Sequence, residues 1–211
     1  MMRIISHRGY WINSKEKNTK EAFERSLSLG FGIETDIRDL GGKLVISHDP
    51  PTGGELTFDD FLKIYKSYSS QEILAINIKS DGLQIAIQKA LKKYQVSNYF
   101  LFDMSVPDLL GYLSLNLVTF SRLSEVENNP ILNDITDGLW LDQFYEDWLN
   151  ADLLKKLVLK HKMVCLVSPE LHGREFHDFL QMVIGLPKNI RSKIAVCTDF
   201  PHFYKEAVDG L

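Results

Sequence analysis

Two histidines and two carboxylates stand close together in the first quarter of the sequence. His7 closes the first short apolar run, Glu34 and Asp36 close the second, and His48 closes the third. Imidazole groups titrate near neutral pH, and carboxylates bind cations, so these residue types suit acid–base chemistry at a metal centre. Packing of an apolar core does not require such polar groups at strand ends. The pattern therefore predicts an enzyme.

The carboxylate pair has the spacing of a cation site. Glu34 and Asp36 are one residue apart on a predicted strand, so their side chains point to the same face. Ile33 and Ile37 flank the pair, which favours an interior strand over a surface pair bonded to neighbouring lysines. Hard oxygen ligands prefer Mg²⁺ or Ca²⁺ to zinc. We therefore predict a magnesium or calcium site.

Nearby cationic side chains point to a phosphate-bearing substrate. Arg8 offers a planar fork for two phosphate oxygens, and Lys79 offers a point charge. His7 and His48 are suited to divide the roles of general base and general acid. A metal, two cations and two imidazoles together predict chemistry on a phosphodiester.

Short apolar runs alternate with longer amphipathic stretches along the whole chain, which predicts alternating strands and helices. The predicted strands are 3–6, 32–37, 43–47, 73–79, 99–103, 117–121, 138–142, 163–168 and 194–198. The predicted helices are 57–68, 82–93, 105–113, 147–161 and 173–184, preceded by one with Asn18 at its N-cap and Glu21 completing a capping box.

This alternation predicts a (β/α)₈ TIM barrel. The strand–helix unit recurs eight times if 32–37 and 43–47 form a hairpin within one unit. A doubly wound open sheet is the alternative, because periodicity does not show closure. The 211 residues suit one domain over 1–211 without an inserted domain.

In such a barrel the catalytic groups lie at the C-terminal ends of the strands. Most of the predicted strands end in polar residues, which are expected to converge on one pocket. Beyond the residues already named, the candidates are Asn77, Asp103, Arg122, Glu170 and His172.

Composition excludes several kinds of partner. A net charge of −4 gives no overall attraction to nucleic acid or an anionic membrane. No apolar run reaches the roughly 20 residues of a membrane span.

Cys165 and Cys197 lie in apolar runs, which favours reduced, buried thiols over a disulfide. We expect a cytoplasmic protein that acts on a small-molecule phosphodiester.

Four motifs, taken in order, resemble those of the glycerophosphodiester phosphodiesterase family. They are His7-Arg8-Gly9, Asn18-Thr19 followed by Ala22-Phe23, Glu34-Thr35-Asp36 and His48-Asp49, with Thr198-Asp199-Phe200-Pro201 similar to the family's last strand. The resemblance covers both ends of the chain. It implies a (β/α)₈ barrel, a divalent metal held by Glu34 and Asp36, and His7 and His48 as the acid–base pair.

The chain departs from the family pattern in three places. The family's third strand usually supplies a glutamate metal ligand, where this chain has Asn77. An amide oxygen can replace that ligand without its charge, or Glu170 or Asp103 can substitute for it. The usual glutamate before Asn-Thr is Lys17, and the seventh-strand motif is replaced by residues 168–173.

These departures keep two other functions open. The same chemistry can act on a different phosphorylated headgroup or on a glycan. Alternatively, the barrel can bind a phosphorylated ligand or a protein partner without catalysis.

Overall fold

Strands and helices alternate along the chain as the sequence predicts, and the fold is a (β/α)₈ TIM barrel. The computed structural model describes residues 2–68, 72–129 and 131–210. The chain divides into two compact units. The N-terminal unit is Ser6–Thr119, and the C-terminal unit is Met1–Ile5 with Phe120–Leu211.

The strands are β1 (Arg3–His7), β2 (Gly32–Leu40), β3 (Lys43–Ile46), β4 (Leu74–Ile78), β5 (Tyr99–Phe102), β6 (Phe120–Leu123), β7 (Gly138–Leu141), β8 (Met163–Val167) and β9 (Ile194–Thr198). The α-helices are α1 (Lys20–Ser28), α2 (Phe58–Ser67), α3 (Gln84–Lys93), α4 (Val106–Ser114), α5 (Ala151–Lys160), α6 (His177–Ile184), α7 (Lys188–Arg191) and α8 (Pro201–Asp209). One-turn 3₁₀ helices lie at Ser14–Glu16 and Pro169–His172.

In the N-terminal unit, β2 and β4 lie side by side and parallel, with β5 beyond β4. The short strand β3 forms an antiparallel hairpin with the end of β2, which confirms the predicted hairpin. Phe23 of α1 and Phe61 of α2 are fully buried, with ring centroids 4.7 Å apart. Apolar side chains of the sheet, such as Ile33 and Ile76, belong to the same core. This packing holds α1 and α2 against the sheet that contains β2 and β4.

In the C-terminal unit, β9, β8, β7 and β6 follow one another in a parallel sheet. Their apolar residues pack with α5, α6 and α8 around a second core that includes Leu166, Val196 and Tyr204. Cys165 and Cys197 are buried in neighbouring strands and form no disulfide, as the sequence predicts.

Several predicted boundaries are wrong. The strand predicted at 117–121 lies at Phe120–Leu123, because the backbone N–H of Leu117 instead donates to the carbonyl oxygen of Tyr112 in α4. The helix predicted at 147–161 begins at Ala151, since the Asn150 side chain caps it. The helix predicted at 173–184 begins at His177, and α7 and α8 were not predicted.

The helix predicted to begin with Asn18 at its N-cap begins one residue later. Thr19 is the N-cap residue, and its side chain accepts a hydrogen bond from the backbone of Ala22. Asn18 has a left-handed backbone, with φ of 61°. Its side chain is therefore available for other contacts, which are described below.

No helix in the described part of the chain is long and apolar enough to cross a membrane.

Gly9 is required by both its backbone angle and its surroundings. Its φ is +81°, and an added Cβ would lie 2.8 Å from the Cβ of Ala22. Gly30 has a similar φ of +74° but no neighbouring atom within 4 Å of an added Cβ. Substitution at Gly30 therefore tests the cost of the left-handed backbone alone, whereas substitution at Gly9 adds a steric clash.

We predict that Gly9→Ala destabilises the protein more than Gly30→Ala. Each substitution should cost about 1–2 kcal/mol of unfolding free energy for the left-handed backbone. Gly9→Ala should cost about 1–3 kcal/mol more, because α1 must move away from the first motif. Urea unfolding of the two variants measures this difference, and equal losses would contradict the account.

Candidate active site

The second strand carries the two acidic side chains predicted to bind a cation. Glu34 and Asp36 are one residue apart on β2, so their side chains share a face of the sheet. In the parallel register of β2 with β4, Asp36 lies opposite Asn77. Only 2% of Glu34, 1% of Asp36 and 7% of Asn77 is exposed to solvent. The register therefore places a buried amide beside the second of two buried carboxylates.

Glu34 lies next to the end of β1. Its Oε2 accepts a hydrogen bond from the backbone N–H of Arg8 at 3.1 Å, and the Nε2 of His7 is 4.0 Å from the same oxygen. Burial raises the pKa of the Glu34 carboxyl well above its usual range. The charge of Asp36 raises this pKa further, whereas Arg8 and Lys79 act in the opposite direction. A cation bound here would favour the ionised form.

Asp36 contacts three polar side chains of the site. Its Oδ2 accepts a hydrogen bond from the Asn18 side chain at 2.8 Å and lies 3.1 Å from the Nε of Arg8. Its Oδ1 lies 3.6 Å from the Nζ of Lys79. The two cations predicted to bind phosphate are thus held at this carboxylate.

Asn77 and Asp103 are in direct contact. The Nδ2 of Asn77 donates a hydrogen bond to Oδ2 of Asp103 at 3.1 Å. Asp103 follows the end of β5, which neighbours β4. One of the two residues proposed to replace the missing glutamate is therefore paired with the asparagine itself.

The donor atoms of this site suit a hard divalent metal ion. Asp36 Oδ1 and Asn77 Oδ1 are buried, and neither makes a hydrogen bond within the described residues. Carboxylate and amide oxygens are ligands that Mg²⁺ and Ca²⁺ prefer. No group of three or more histidine, cysteine, aspartate or glutamate side chains suited to a metal occurs in residues 2–68, 72–129 and 131–210. A metal at Glu34 and Asp36 would have the amide oxygen of Asn77, which lies opposite Asp36, as a further protein donor.

The two histidines have different surroundings. His7 ends β1 and is largely buried, close to Glu34. His48 follows β3 and is about half exposed. The backbone N–H of Ser47 donates to the carbonyl oxygen of Asp36 at 3.0 Å, which keeps the His48 segment beside the end of β2.

Asp49 orients the ring of His48. The Nδ1 of His48 lies 2.9 Å from Oδ1 of Asp49. A carboxylate can only accept, so this contact favours the form of imidazole that carries its proton on Nδ1. The Nε2 of His48 is then the nitrogen able to exchange a proton with a ligand.

A cavity of about 500 Å³ opens beside Arg8 and His48. Lys17 and Lys20 also line it, and the Nζ of Lys17 lies 4.5 Å from the centre of the Trp11 ring. The volume is that of a small-molecule site. Its three cationic side chains outnumber the two acidic ones, Asp49 and Glu55, which favours a small anionic ligand.

Asn18 is a site residue that sequence reasoning missed. Its Nδ2 donates to Asp36 at 2.8 Å, and its Oδ1 accepts from the hydroxyl of Thr35 at 2.8 Å. The backbone N–H of Asn18 also donates to the carbonyl oxygen of Arg8. The Asn-Thr pair was interpreted as a helix cap, and only its second residue has that role. The proximity of Asn18 to the first motif in sequence was the available signal.

Glu170 lies in the C-terminal unit. Its two carboxylate oxygens accept hydrogen bonds from the hydroxyls of Ser168 and Thr198 and from the backbone N–H of Asp199. Burial raises the pKa of this carboxyl. These bonds give Glu170 a structural role between β8 and β9, and a role in a substrate pocket stays a prediction.

Arg122 and His172 also lie in the C-terminal unit. Arg122 forms an ion pair with Glu127. The Nε2 of His172 lies 2.6 Å from Oδ1 of Asp142, which follows β7. Their predicted roles in substrate binding are not tested by these contacts.

Comparison with known proteins identifies the fold. No family model matches the sequence, and no curated protein matches it. A glycerophosphodiester phosphodiesterase from Agrobacterium tumefaciens str. C58 matches with a TM-score of 0.73 and 15% identity over 100% of both chains. The chain shares the fold of these enzymes.

Two further solved structures agree with this match. A glycerophosphoryl diester phosphodiesterase from Parabacteroides distasonis has a TM-score of 0.71 and 14% identity, over 100% of this chain and 87% of that one. A protein from Galdieria sulphuraria, provisionally assigned the same activity, has a TM-score of 0.76 and 13% identity, over 99% and 98%. At these identities the likeness establishes the fold, and activity must be argued from the site.

We predict that Asn18→Gly weakens binding of Mg²⁺ or Ca²⁺ by about 10–100-fold, because Asp36 loses a partner that fixes its orientation. Glycine keeps the left-handed backbone that Asn18 adopts. Asn116→Gly is the matched control, since Asn116 also has positive φ but lies exposed after α4. Calorimetric titration with each ion measures the effect. Unchanged affinity in the Asn18 variant would show that this contact does not support a metal site.

Proposed function

We propose that this protein is a metal-dependent phosphodiester hydrolase of the glycerophosphodiester phosphodiesterase type. One observation carries the proposal. A buried carboxylate pair lies beside a buried amide, and Arg8 and Lys79 approach the same carboxylate. The motif order and the shared fold support this interpretation.

Glu34, Asp36 and Asn77 are the residues that would hold the metal ion. All three present oxygen donors, which favours Mg²⁺ or Ca²⁺. A bound divalent ion would neutralise the charge on the nonbridging oxygens of the phosphate.

Arg8 and Lys79 would bind the phosphate from the protein side. The guanidinium of Arg8 can donate to two phosphate oxygens, and Lys79 adds a single positive charge. Because both lie against Asp36, a phosphate held by them would be next to the carboxylate pair. The cavity beside Arg8, with Lys17 and Lys20 in its wall, fits an anionic substrate.

The two histidines would move the protons. One imidazole removes the proton from the attacking oxygen, which belongs to water or to a hydroxyl of the substrate. As the new P–O bond forms, the bond to the leaving oxygen breaks, and the other imidazole donates a proton to that oxygen. The contact of His48 with Asp49 leaves its Nε2 suitable for this exchange.

We predict that His7→Ala and His48→Ala each lower kcat for a phosphodiester by at least about 100-fold. Suitable substrates are glycerophosphodiesters and a generic aryl phosphodiester, each with Mg²⁺, Ca²⁺ or a chelator. Turnover should require the metal and return when it is restored. His177→Ala is the control, because His177 is exposed in the C-terminal unit, where it pairs with the nearby Glu175 and stacks on Phe176.

The same assay separates the alternative functions. Turnover of the aryl diester without turnover of glycerophosphodiesters would favour a different headgroup. A folded wild-type protein that binds phosphorylated ligands but hydrolyses no diester would favour a non-catalytic barrel and contradict the proposal.

A further inference from the structure

The amide of Asn77 has one end bonded and one end without a hydrogen bond. Its Nδ2 donates to Asp103 at 3.1 Å, whereas its Oδ1 makes no hydrogen bond within the described residues. The side chain is more than nine-tenths buried. A buried carbonyl oxygen without a donor is costly, since it gives up water without compensation. Such an atom indicates a site for a cation or a donor group.

The contact with Asp103 fixes which end of the amide faces the carboxylate. An ionised carboxylate only accepts hydrogen bonds, so the amide nitrogen must face it. The reverse orientation would place the carbonyl oxygen of Asn77 against the oxygen of Asp103. The Oδ1 of Asn77 is therefore directed away from Asp103.

The backbone position of Asp103 brings its carboxylate next to Asn77. In the register of β4 with β5, Asn77 lies opposite Phe102, and Asp103 is the next residue. Asp103 has a φ of +67°, a left-handed conformation that aspartate, asparagine and glycine adopt more readily than other residues. The turn after β5 thus places a carboxylate at the side of Asn77.

We propose that Asp103 is a positioning residue that makes Asn77 a ligand of the metal ion. It holds the amide nitrogen and so presents the carbonyl oxygen beside Asp36, the register partner of Asn77. The carboxylate also polarises the amide, which strengthens the carbonyl oxygen as a donor. This inference rests on the proposed metal site, and it explains how an uncharged residue serves where a carboxylate would otherwise be needed.

The energetic reason is that the two ends of the amide differ. A carboxylate ligand presents an oxygen in either orientation, but an asparagine that rotates by half a turn presents N–H groups to the cation. An asparagine ligand therefore requires a neighbour that selects one orientation. In this chain the neighbour is an acceptor with fixed position.

Calorimetric titration of the whole protein with Mg²⁺ and with Ca²⁺ tests this role. Asp103→Asn should weaken the affinity by about 10-fold or more, because asparagine at 103 no longer selects one orientation. Asparagine and glycine both tolerate positive φ. Asp103→Gly therefore provides a second folded variant with the same expected loss. Asp81→Asn is the control, since Asp81 is an exposed acid of the same unit bonded to Ser105.

The Asn77→Glu background separates positioning from direct ligation. Glutamate needs no orienting partner, so Asp103→Asn should leave metal affinity in this background unchanged or higher. Equal weakening in both backgrounds would show that Asp103 acts directly on the ion and would overturn the positioning role.

The remaining outcomes distinguish this inference from the proposed function. If wild type binds the ions and Asp103→Asn and Asp103→Gly bind them equally well, the positioning role fails and the metal site stands. If wild type binds neither ion at millimolar concentration, the metal site fails, and the role of Asp103 fails with it.

Discussion

The parallel register between β2 and β4 is the constraint on which the site depends. It places Asp36 opposite Asn77, and the alternation of side chains along β2 puts Glu34 on the same face. A shift of one residue would move every one of these groups to the opposite face of the sheet. Ile33 and Ile37, the apolar residues on either side of the carboxylate pair, belong to the core and resist such a shift. Core packing and site geometry are therefore set by the same pairing.

Burial of two carboxylates is costly, at several kcal/mol for each ion by an order-of-magnitude estimate. The first motif offsets much of this cost. Arg8 contributes its backbone N–H to Glu34 and its guanidinium to Asp36, and Asn18 donates to Asp36 as well. The turn that carries them requires Gly9 and its close contact with α1. The spacing of the motifs thus has a physical origin in charge compensation around one strand.

The fold is predictable from sequence because it follows from periodicity, and the proximity of Arg8, Asp36, Asn77 and Lys79 is predictable because these residues stand at or near strand ends. The hairpin of β2 and β3, the buried cysteines and the barrel are examples. The role of Asn18 was not predictable, because an asparagine before a threonine and a helix is typical of a cap. The contact of Asp103 with Asn77 depends on the register of β4 with β5 and on a left-handed backbone at Asp103. Neither is encoded in a local pattern, so the sequence presents Asn77 and Asp103 as alternatives, whereas the structure pairs them.

The central claim is that Glu34, Asp36 and Asn77 form one cation site. The sharpest test is diffraction from crystals soaked with Mn²⁺, a substitute for Mg²⁺ that can be located by its anomalous scattering. The account predicts an anomalous peak within about 2.0–2.6 Å of oxygens from all three side chains, the range of hard-cation bonds. A peak bonded elsewhere, or a site that excludes the Oδ1 of Asn77, would contradict it.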